Sequence, residues 1–201
     1  MGMDDEIMVV RRDVLFKDKS FQGIVDADFY DYIDVILNNF TFKIRRLAEQ
    51  DYELKQPIAY GIIVNEKGDI YAYKRAHQGY NESRLRGKWS IGLGGHIEKY
   101  DLNDNPILTS LMRELDEEVK LNAPIDDFKV IAYINDDSND VGRVHFGIVY
   151  LLKTKATEAK PNDQESKVGF FIPFEKLNEL QELESWSELA FKFLKEHKIL
   201  R

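Results

Sequence analysis

Apolar residues occur along this chain in short runs and at helical spacings, which predicts strands interleaved with helices. Runs rich in β-branched and aromatic residues predict strands at 6–12, 57–76, 89–93, 128–135, 143–154 and 169–173. Apolar spacings of three and four predict helices at 26–51, 106–119, 174–181 and 184–198. We expect a break near Asn38-Asn39 to divide the first helix, and residues 13–26 to form a loop. The segment 57–76 should be a pair of strands joined by a turn at 65–69.

Alternation of strands and helices predicts one mixed α/β domain with an N-terminal helical elaboration. The chain has 201 residues, which is enough for a sizeable core. We expect residues 1–55 to be an N-terminal extension packed on a main domain of residues 56–201.

Charge and composition narrow the functions that this domain can have. The net charge is -8 and cysteine is absent. An acidic surface disfavours binding to a nucleic-acid polymer, but a bound cation allows a small phosphorylated substrate. Without cysteine there is no disulfide, zinc–thiolate site or cysteine nucleophile. The N-terminus is not of the signal-peptide type and the apolar runs are too short for a bilayer, so we expect a cytoplasmic protein without membrane partners.

The predicted helix at 106–119 has a well-defined start and a buried face. Asn105 is a good N-cap residue. Pro106 is tolerated at the first helical position, because a backbone N–H there would have no partner within the helix in any case. One stripe is apolar and should face the core; it consists of Leu108, Leu111, Met112, Leu115 and Val119.

Acidic residues are concentrated on another face of the same helix. Glu114, Glu117 and Glu118 have the spacing i, i+3 and i+4, whereas Asp116 points away from Glu114. Like charges at these spacings, close to a helix C-terminus, destabilise an isolated helix. A hard cation such as Mg²⁺ would compensate them. An ordinary solvated face is the alternative. The glycine pair that begins at Gly94 permits close backbone approach and favours a metal site.

These residues resemble a Nudix box. The segment Arg113-Glu114-Leu115-Asp116-Glu117-Glu118-Val119 matches the helical half, and Gly94-Gly95-His96-Ile97-Glu98 matches the opening of the loop half. The resemblance covers about residues 57–195 and implies an α/β/α sandwich with a mixed sheet. The opening Gly94-Gly95-His96-Ile97 and the long loop before Asn105 are similar to a phosphoesterase-like branch of the family with an extended box loop.

The chain departs from the family pattern at three places. The loop is about four residues longer, so that Asp101, counted forward, or Asn105, counted back, takes the place of the first glutamate. Lys120 replaces the last glycine of the box. A left-handed conformation at Lys120 would cost on the order of 1–2 kcal/mol. The region after the box lacks the marks of a particular substrate subgroup.

The family resemblance implies a Mg²⁺-dependent hydrolase, with Mn²⁺ as a substitute, that cleaves the pyrophosphate of a nucleoside diphosphate linked to another moiety. Carried onto this chain, it implies metal ligands at Gly94 (through its carbonyl), Glu114, Glu117, Glu118 and Glu165. Glu114 is our first choice of general base and Glu118 the second, with Arg113 orienting the glutamates. For Glu165, a solvated loop acid is the alternative.

Substrate contacts are less specific in this sequence. Arg75, which ends a predicted strand, is a candidate phosphate ligand, as are Arg86 and Lys88, for which a basic surface loop is the alternative. Phe146 is a candidate for stacking on a base, although core packing is the alternative. We expect His96 to be a hydrogen-bonding group and not a metal ligand, because the sequence shows no other His/Cys ligand set beside it.

Two other functions remain open on the same fold. A non-catalytic nucleotide sensor or regulator would explain the altered loop half, whereas the intact acidic set argues against it. Isopentenyl diphosphate isomerase is another enzyme class with this fold. Its reaction resembles a protonation that uses a cysteine and a glutamate, and it is disfavoured here because the chain has no cysteine. Many relatives form homodimers, so a homodimer is compatible with the sequence.

Overall fold

The computed structural model describes residues 2–75, 87–162 and 166–200. It contains two compact units. The first comprises residues 1–60, 94–112 and 130–149, and the second residues 61–93, 113–129 and 150–201. This partition is not the same as the division between an N-terminal extension of residues 1–55 and a main domain of residues 56–201, which stays a prediction. Among the helices of the described residues, none is long and apolar enough to cross a membrane.

Strands and helices alternate along the chain, as the sequence predicts. The strands are β1 (Glu6–Arg11), β2 (Gly23–Asp26), β3 (Thr41–Ile44), β4 (Leu54–Asn65), β5 (Asp69–Arg75), β6 (Trp89–Ser90), β7 (Val119–Leu121), β8 (Ile125–Asn135), β9 (His145–Thr154), β10 (Ala159–Pro161) and β11 (Ser166–Pro173). The helices are α1 (Arg12–Leu15), α2 (Tyr32–Asn39), α3 (Arg45–Ala48), α4 (Pro106–Glu118), α5 (Asp140–Val144) and α6 (Ser185–Glu196). Short 3₁₀ helices lie at Ala27–Phe29, Lys99–Asp101 and Phe174–Glu179.

The first unit contains the strand order β4-β9-β8-β2. β2 pairs antiparallel with β8, with Gly23 opposite Asn135. β1 pairs antiparallel with β3 and, through Val10 opposite Lys55, with β4. Residues 7–10 of β1 are all buried, so both faces of this strand are covered.

The second unit contains the strand order β11-β5-β4. β4 and β5 form the predicted hairpin, in which the Asn65 side chain accepts hydrogen bonds from the backbone N–H groups of Lys67 and Asp69. Gly68 has φ of 83°, which explains glycine at this turn position. β6 pairs with the last residues of β5, on the edge that β11 does not occupy. β7 pairs with β10.

The N-terminal segment differs from the sequence prediction. Residues 13–26 contain the end of α1 and the strand β2, and residues 26–51 contain β3 between α2 and α3. These strands are held by long-range partners, β8 and β1, which a local apolar pattern does not reveal. α2 ends at Asn39, as the expected break indicates, and Asp31 caps its start by accepting from the Asp34 N–H.

α4 begins and ends in ways that explain two features of its sequence. Asn105 caps the helix, since its side-chain oxygen accepts from the Leu108 N–H at 3.1 Å. After Glu118 the chain continues directly into β7, where Lys120 pairs with Lys160 of β10. Within the described residues, the non-glycine residues with positive φ are Glu182 and Lys198. A left-handed Lys120 is therefore not observed, because a strand residue replaces the usual glycine turn.

Replacement of Asn105 by alanine should destabilise the protein. The change removes the acceptor of the Leu108 N–H, and the loss of a cap of this kind costs about 1 kcal/mol. Chemical denaturation monitored by circular dichroism measures the difference. Asn105→Asp keeps an acceptor and should stay close to wild type; equal destabilisation by both changes would contradict the capping role.

Candidate active site

The glutamates of α4 differ in their exposure. Glu114 is 8% exposed, Glu118 is half-buried, and the Glu117 side chain is 59% exposed. Leu111 and Leu115 are buried on the apolar stripe, so core packing fixes the rotation of the helix about its axis. The acidic face therefore runs from the interior toward solvent.

Arg113 lies between two of these carboxylates. Its Nη1 donates to Glu114 Oε1 at 2.7 Å and lies 3.5 Å from Glu117 Oε1. The Arg113 side chain is itself only 17% exposed, so its charge is screened less than that of a surface arginine. It neutralises part of the acidic face and holds Glu114 in place.

The C-terminal end of α4 is fixed by Asn162. The Asn162 N–H donates to the Glu118 carbonyl at 2.9 Å, and its side-chain amide donates to the Asp116 carbonyl at 3.0 Å. These bonds satisfy carbonyl groups that a helix end leaves open. Asp116 itself is exposed to solvent.

The glycine loop approaches the backbone of β4 closely. Gly94 has φ of 153°, and a Cβ at this position would overlap the carbonyl oxygen of Ala59. His96 forms a bridge with Ile58 of β4, and Ser110 Oγ donates to the His96 carbonyl at 3.1 Å. A side chain larger than hydrogen at Gly94 would therefore displace the loop from this strand.

Both residues that stand in for the first box glutamate have local structural roles. Asp101 Oδ2 accepts from the Glu98 N–H at 2.8 Å, and the Glu98 side chain accepts from the Asp101 N–H in return. This reciprocal pair caps the 3₁₀ helix Lys99–Asp101, while Asn105 caps α4. The longer loop thus uses these two side chains as caps.

The predicted phosphate-binding residues are described only in part. Arg75 is half-buried at the end of β5, and its guanidinium lies 5.5 Å from the centre of the Tyr73 ring. Lys88 is half-buried, and its carbonyl accepts from the Arg75 N–H at 3.0 Å. Arg86 and Glu165 lie outside the described residues.

Phe146 belongs to an aromatic cluster. Its ring is fully buried and contacts four other rings, those of Phe16, Phe21, Tyr32 and Tyr133. This arrangement corresponds to the core-packing alternative for Phe146, because a buried ring in an aromatic cluster has no face available to a base. We therefore leave it out of the substrate contacts proposed below.

Sequence reasoning missed a set of polar residues around His96. His145 Nε2 lies 3.1 Å from His96 Nε2, and Gln56 Oε1 lies 2.6 Å from the same nitrogen. Glu49 Oε1 is 3.9 Å from it. The expectation that no other His/Cys ligand accompanies His96 is wrong, because His145 lies beside it. The sequence gives no sign of this pair, since the two residues are 49 positions apart and meet only through the fold.

Burial controls the protonation of the two histidines. It lowers the pKa of His96 well below its ordinary value, with the charges of His145 and Arg45 acting in the same direction. Burial also lowers the pKa of His145, although Glu49 opposes this effect. Both pKa shifts favour the neutral form of the imidazoles.

Comparisons with known proteins identify the family. The model of the NUDIX domain matches residues 54–195. The chain is 32% identical to Protein YmaB of Bacillus subtilis (strain 168), over 96% of this chain and 98% of that protein. The crystal structure of Tm1382, a protein classed with the Nudix hydrolases, has a TM-score of 0.79 at 25% identity and covers 96% of this chain and 100% of Tm1382. The NUDIX domain of Shewanella oneidensis NrtR, solved with ADP ribose, has a TM-score of 0.57 at 11% identity, with coverages of 72% and 88%.

Replacement of Arg113 by alanine should lower the free energy of unfolding by roughly 1–3 kcal/mol, since it leaves a buried carboxylate without its charged donor. Urea denaturation in the presence of a chelator measures the effect without compensation by metal ions. Lys153→Ala removes a lysine that is 54% exposed and 3.2 Å from Asp127, so it should change stability by less than about 0.5 kcal/mol. Similar values for the two variants would contradict the role given to Arg113.

Proposed function

We propose that this chain, which belongs to the Nudix family and is a hydrolase of phosphoanhydride bonds, uses Mg²⁺ to cleave the pyrophosphate of a nucleoside diphosphate linked to another moiety. The observation that carries the proposal is the graded acidic face of α4. It combines a buried glutamate, a half-buried one and an exposed one with an arginine that is mostly buried.

The donor set of α4 fits a hard divalent cation. Carboxylate oxygens at Glu114, Glu117 and Glu118 are the ligands that Mg²⁺ prefers, and Mn²⁺ accepts the same donors. Such an ion, when bound, polarises phosphate oxygens and neutralises the charge that develops on them. The Gly94 carbonyl and Glu165 remain predicted ligands.

Burial and hydrogen bonding suggest different roles for the glutamates. Glu114 is held by Arg113 at 2.7 Å, which fixes the orientation of the carboxylate that would accept a proton from water. Glu118 is the alternative base. Glu117 is exposed and is better suited to hold an ion at the solvent side.

Positive charge for the substrate phosphates would come from Arg75 and Lys88, with Arg86 as a further predicted contact. The NUDIX domain of NrtR was solved with ADP ribose, a molecule of the proposed class. A small phosphorylated substrate is compatible with a chain of net charge -8, because the bound cation reverses the local field. A cytoplasmic location and a homodimer stay predictions.

Addition of millimolar Mg²⁺ should raise the melting temperature, because an ion that binds only the folded protein stabilises it. Glu117→Gln should remove most of this shift, whereas Asp116→Asn, which makes the same charge change at a neighbouring exposed residue, should keep it. Differential scanning fluorimetry with and without Mg²⁺ makes the comparison. Equal shifts in both variants would place the ion elsewhere.

Turnover is tested with a panel of nucleoside triphosphates, nucleotide sugars, dinucleoside polyphosphates and ADP-ribose. We expect metal-dependent hydrolysis of at least one member, with Glu114→Gln slower by about 100-fold or more, as is typical for loss of general-base catalysis. Absence of turnover on every member, together with a melting temperature that Mg²⁺ does not change, would overturn the proposal. A nucleotide that raises the melting temperature without being hydrolysed would favour a sensor.

A further inference from the structure

Four polar side chains from separate segments converge in the first unit. Glu49 directly follows α3, Gln56 lies in β4, His96 lies in the glycine loop, and His145 begins β9. Gln56 is fully buried, the two histidines are 7% and 6% exposed, and the Glu49 side chain is 19% exposed. Polar groups this deep are expected to be paired with one another or with a bound ion.

The two ring nitrogens have a spacing close to that of metal ligands, and the Glu49 carboxylate lies slightly farther away. One carboxylate oxygen of Glu49 and one ring nitrogen each of His96 and His145 all lie within 4.8 Å of one another. The two Nε2 atoms are 3.1 Å apart. In a tetrahedral site with metal–ligand bonds of about 2.0 Å, neighbouring ligand atoms are about 3.3 Å apart.

The hydrogen bond of His145 leaves its lone pair inside the cluster. His145 Nδ1 donates to the Val141 carbonyl at 2.7 Å, which places the lone pair of the neutral ring on Nε2. This nitrogen faces His96 Nε2. A backbone carbonyl that fixes the tautomer of a histidine in this way is the usual partner of a metal-binding histidine.

The amide nitrogen of Gln56 is the donor of this cluster for which the described residues supply no hydrogen-bond partner. If His96 Nε2 carries a proton, Gln56 Oε1 and His145 Nε2 compete for it. If it carries none, two nitrogen lone pairs face each other at 3.1 Å. In either case Gln56 Nε2 is a buried donor without a hydrogen-bond partner among the described residues. A cation between the nitrogens would take up both lone pairs, and an oxygen ligand on it would accept from this amide.

We propose that Glu49, His96 and His145 bind a divalent transition-metal ion, at a site distinct from the acidic face of α4. Two imidazoles with one carboxylate are typical ligands of Zn²⁺ and of non-haem Fe²⁺, whereas Mg²⁺ prefers oxygen ligands. The fourth position is left to water or a small anion near Gln56. This site goes beyond the hydrolase function and does not depend on it.

Surrounding groups prepare the three ligands for an ion. Arg45 Nε lies 3.1 Å from Glu49 Oε1 and orients the carboxylate. The hydrogen bond of His145 to Val141 fixes the ring in the tautomer that binds metals through Nε2. The ion would connect the segment after α3 with the glycine loop and the start of β9. Glu49 lies outside the part of the chain that matches the NUDIX domain, so this connection would give the N-terminal segment a structural role.

Titration of chelator-stripped protein with Zn²⁺, in an excess of Mg²⁺ that occupies the acidic face of α4, tests the site. We expect one equivalent to bind and the melting temperature to rise. Glu49→Gln and His145→Gln should each weaken binding by about 100-fold or more. His197→Gln, a histidine outside the cluster, and Glu117→Gln on α4 should keep one equivalent. Elemental analysis of the protein as purified distinguishes zinc from iron.

A measurement on the unaltered chain covers the case in which a variant does not fold. Long-range ¹H–¹⁵N correlation spectra report each ring nitrogen, and Zn²⁺ should shift Nε2 of His96 and His145 while leaving the ring of His197 unchanged. The proposal is overturned if Zn²⁺ does not bind in the presence of Mg²⁺. It is equally overturned if Zn²⁺ binds without shifting these nitrogens, or if folded Glu49→Gln binds as well as wild type.

Discussion

The position of the acidic face depends on the packing of α4. Leu111 and Leu115 are buried, so the helix has little freedom to rotate about its axis. Residues three and four positions apart share a face, and the glutamates are therefore held together although they repel one another. The free energy of core burial, about 1.5–3 kcal/mol for each leucine, exceeds repulsion of a few tenths of a kcal/mol per pair. Arg113 reduces the remaining repulsion by bonding Glu114.

Local patterns predicted those parts of the protein that local interactions determine. The hairpin turn at Asn65 and the start of α4 at Asn105 follow from side chains that bond backbone groups a few residues away. The strands β2 and β3 were not predicted, because each exists through a partner far along the chain. The same limit applies to the structure after α4, where pairing with β10 makes Lys120 a strand residue.

The two candidate metal sites illustrate this limit. The carboxylates of α4 lie within five consecutive residues, so the periodicity of a helix is enough to bring them together on one face. Glu49, His96 and His145 come from three segments, and His96 and His145 are 49 positions apart. A single histidine in a glycine loop gave no reason to expect the second one. Only tertiary packing identifies this set, and its nitrogen donors select a softer ion than the carboxylates do.

The extended loop also limits the number of carboxylates in the proposed Mg²⁺ site. Asp101 is engaged in capping the 3₁₀ helix and Asn105 in capping α4, so neither side chain can leave its partner without cost to the loop. The acidic ligands would then come mainly from Glu114, Glu117 and Glu118. Such a set suits Mg²⁺, because this ion keeps several waters and needs few carboxylates when substrate phosphates supply the other oxygens. The change in the loop would therefore affect how the substrate completes the coordination more than whether an ion binds.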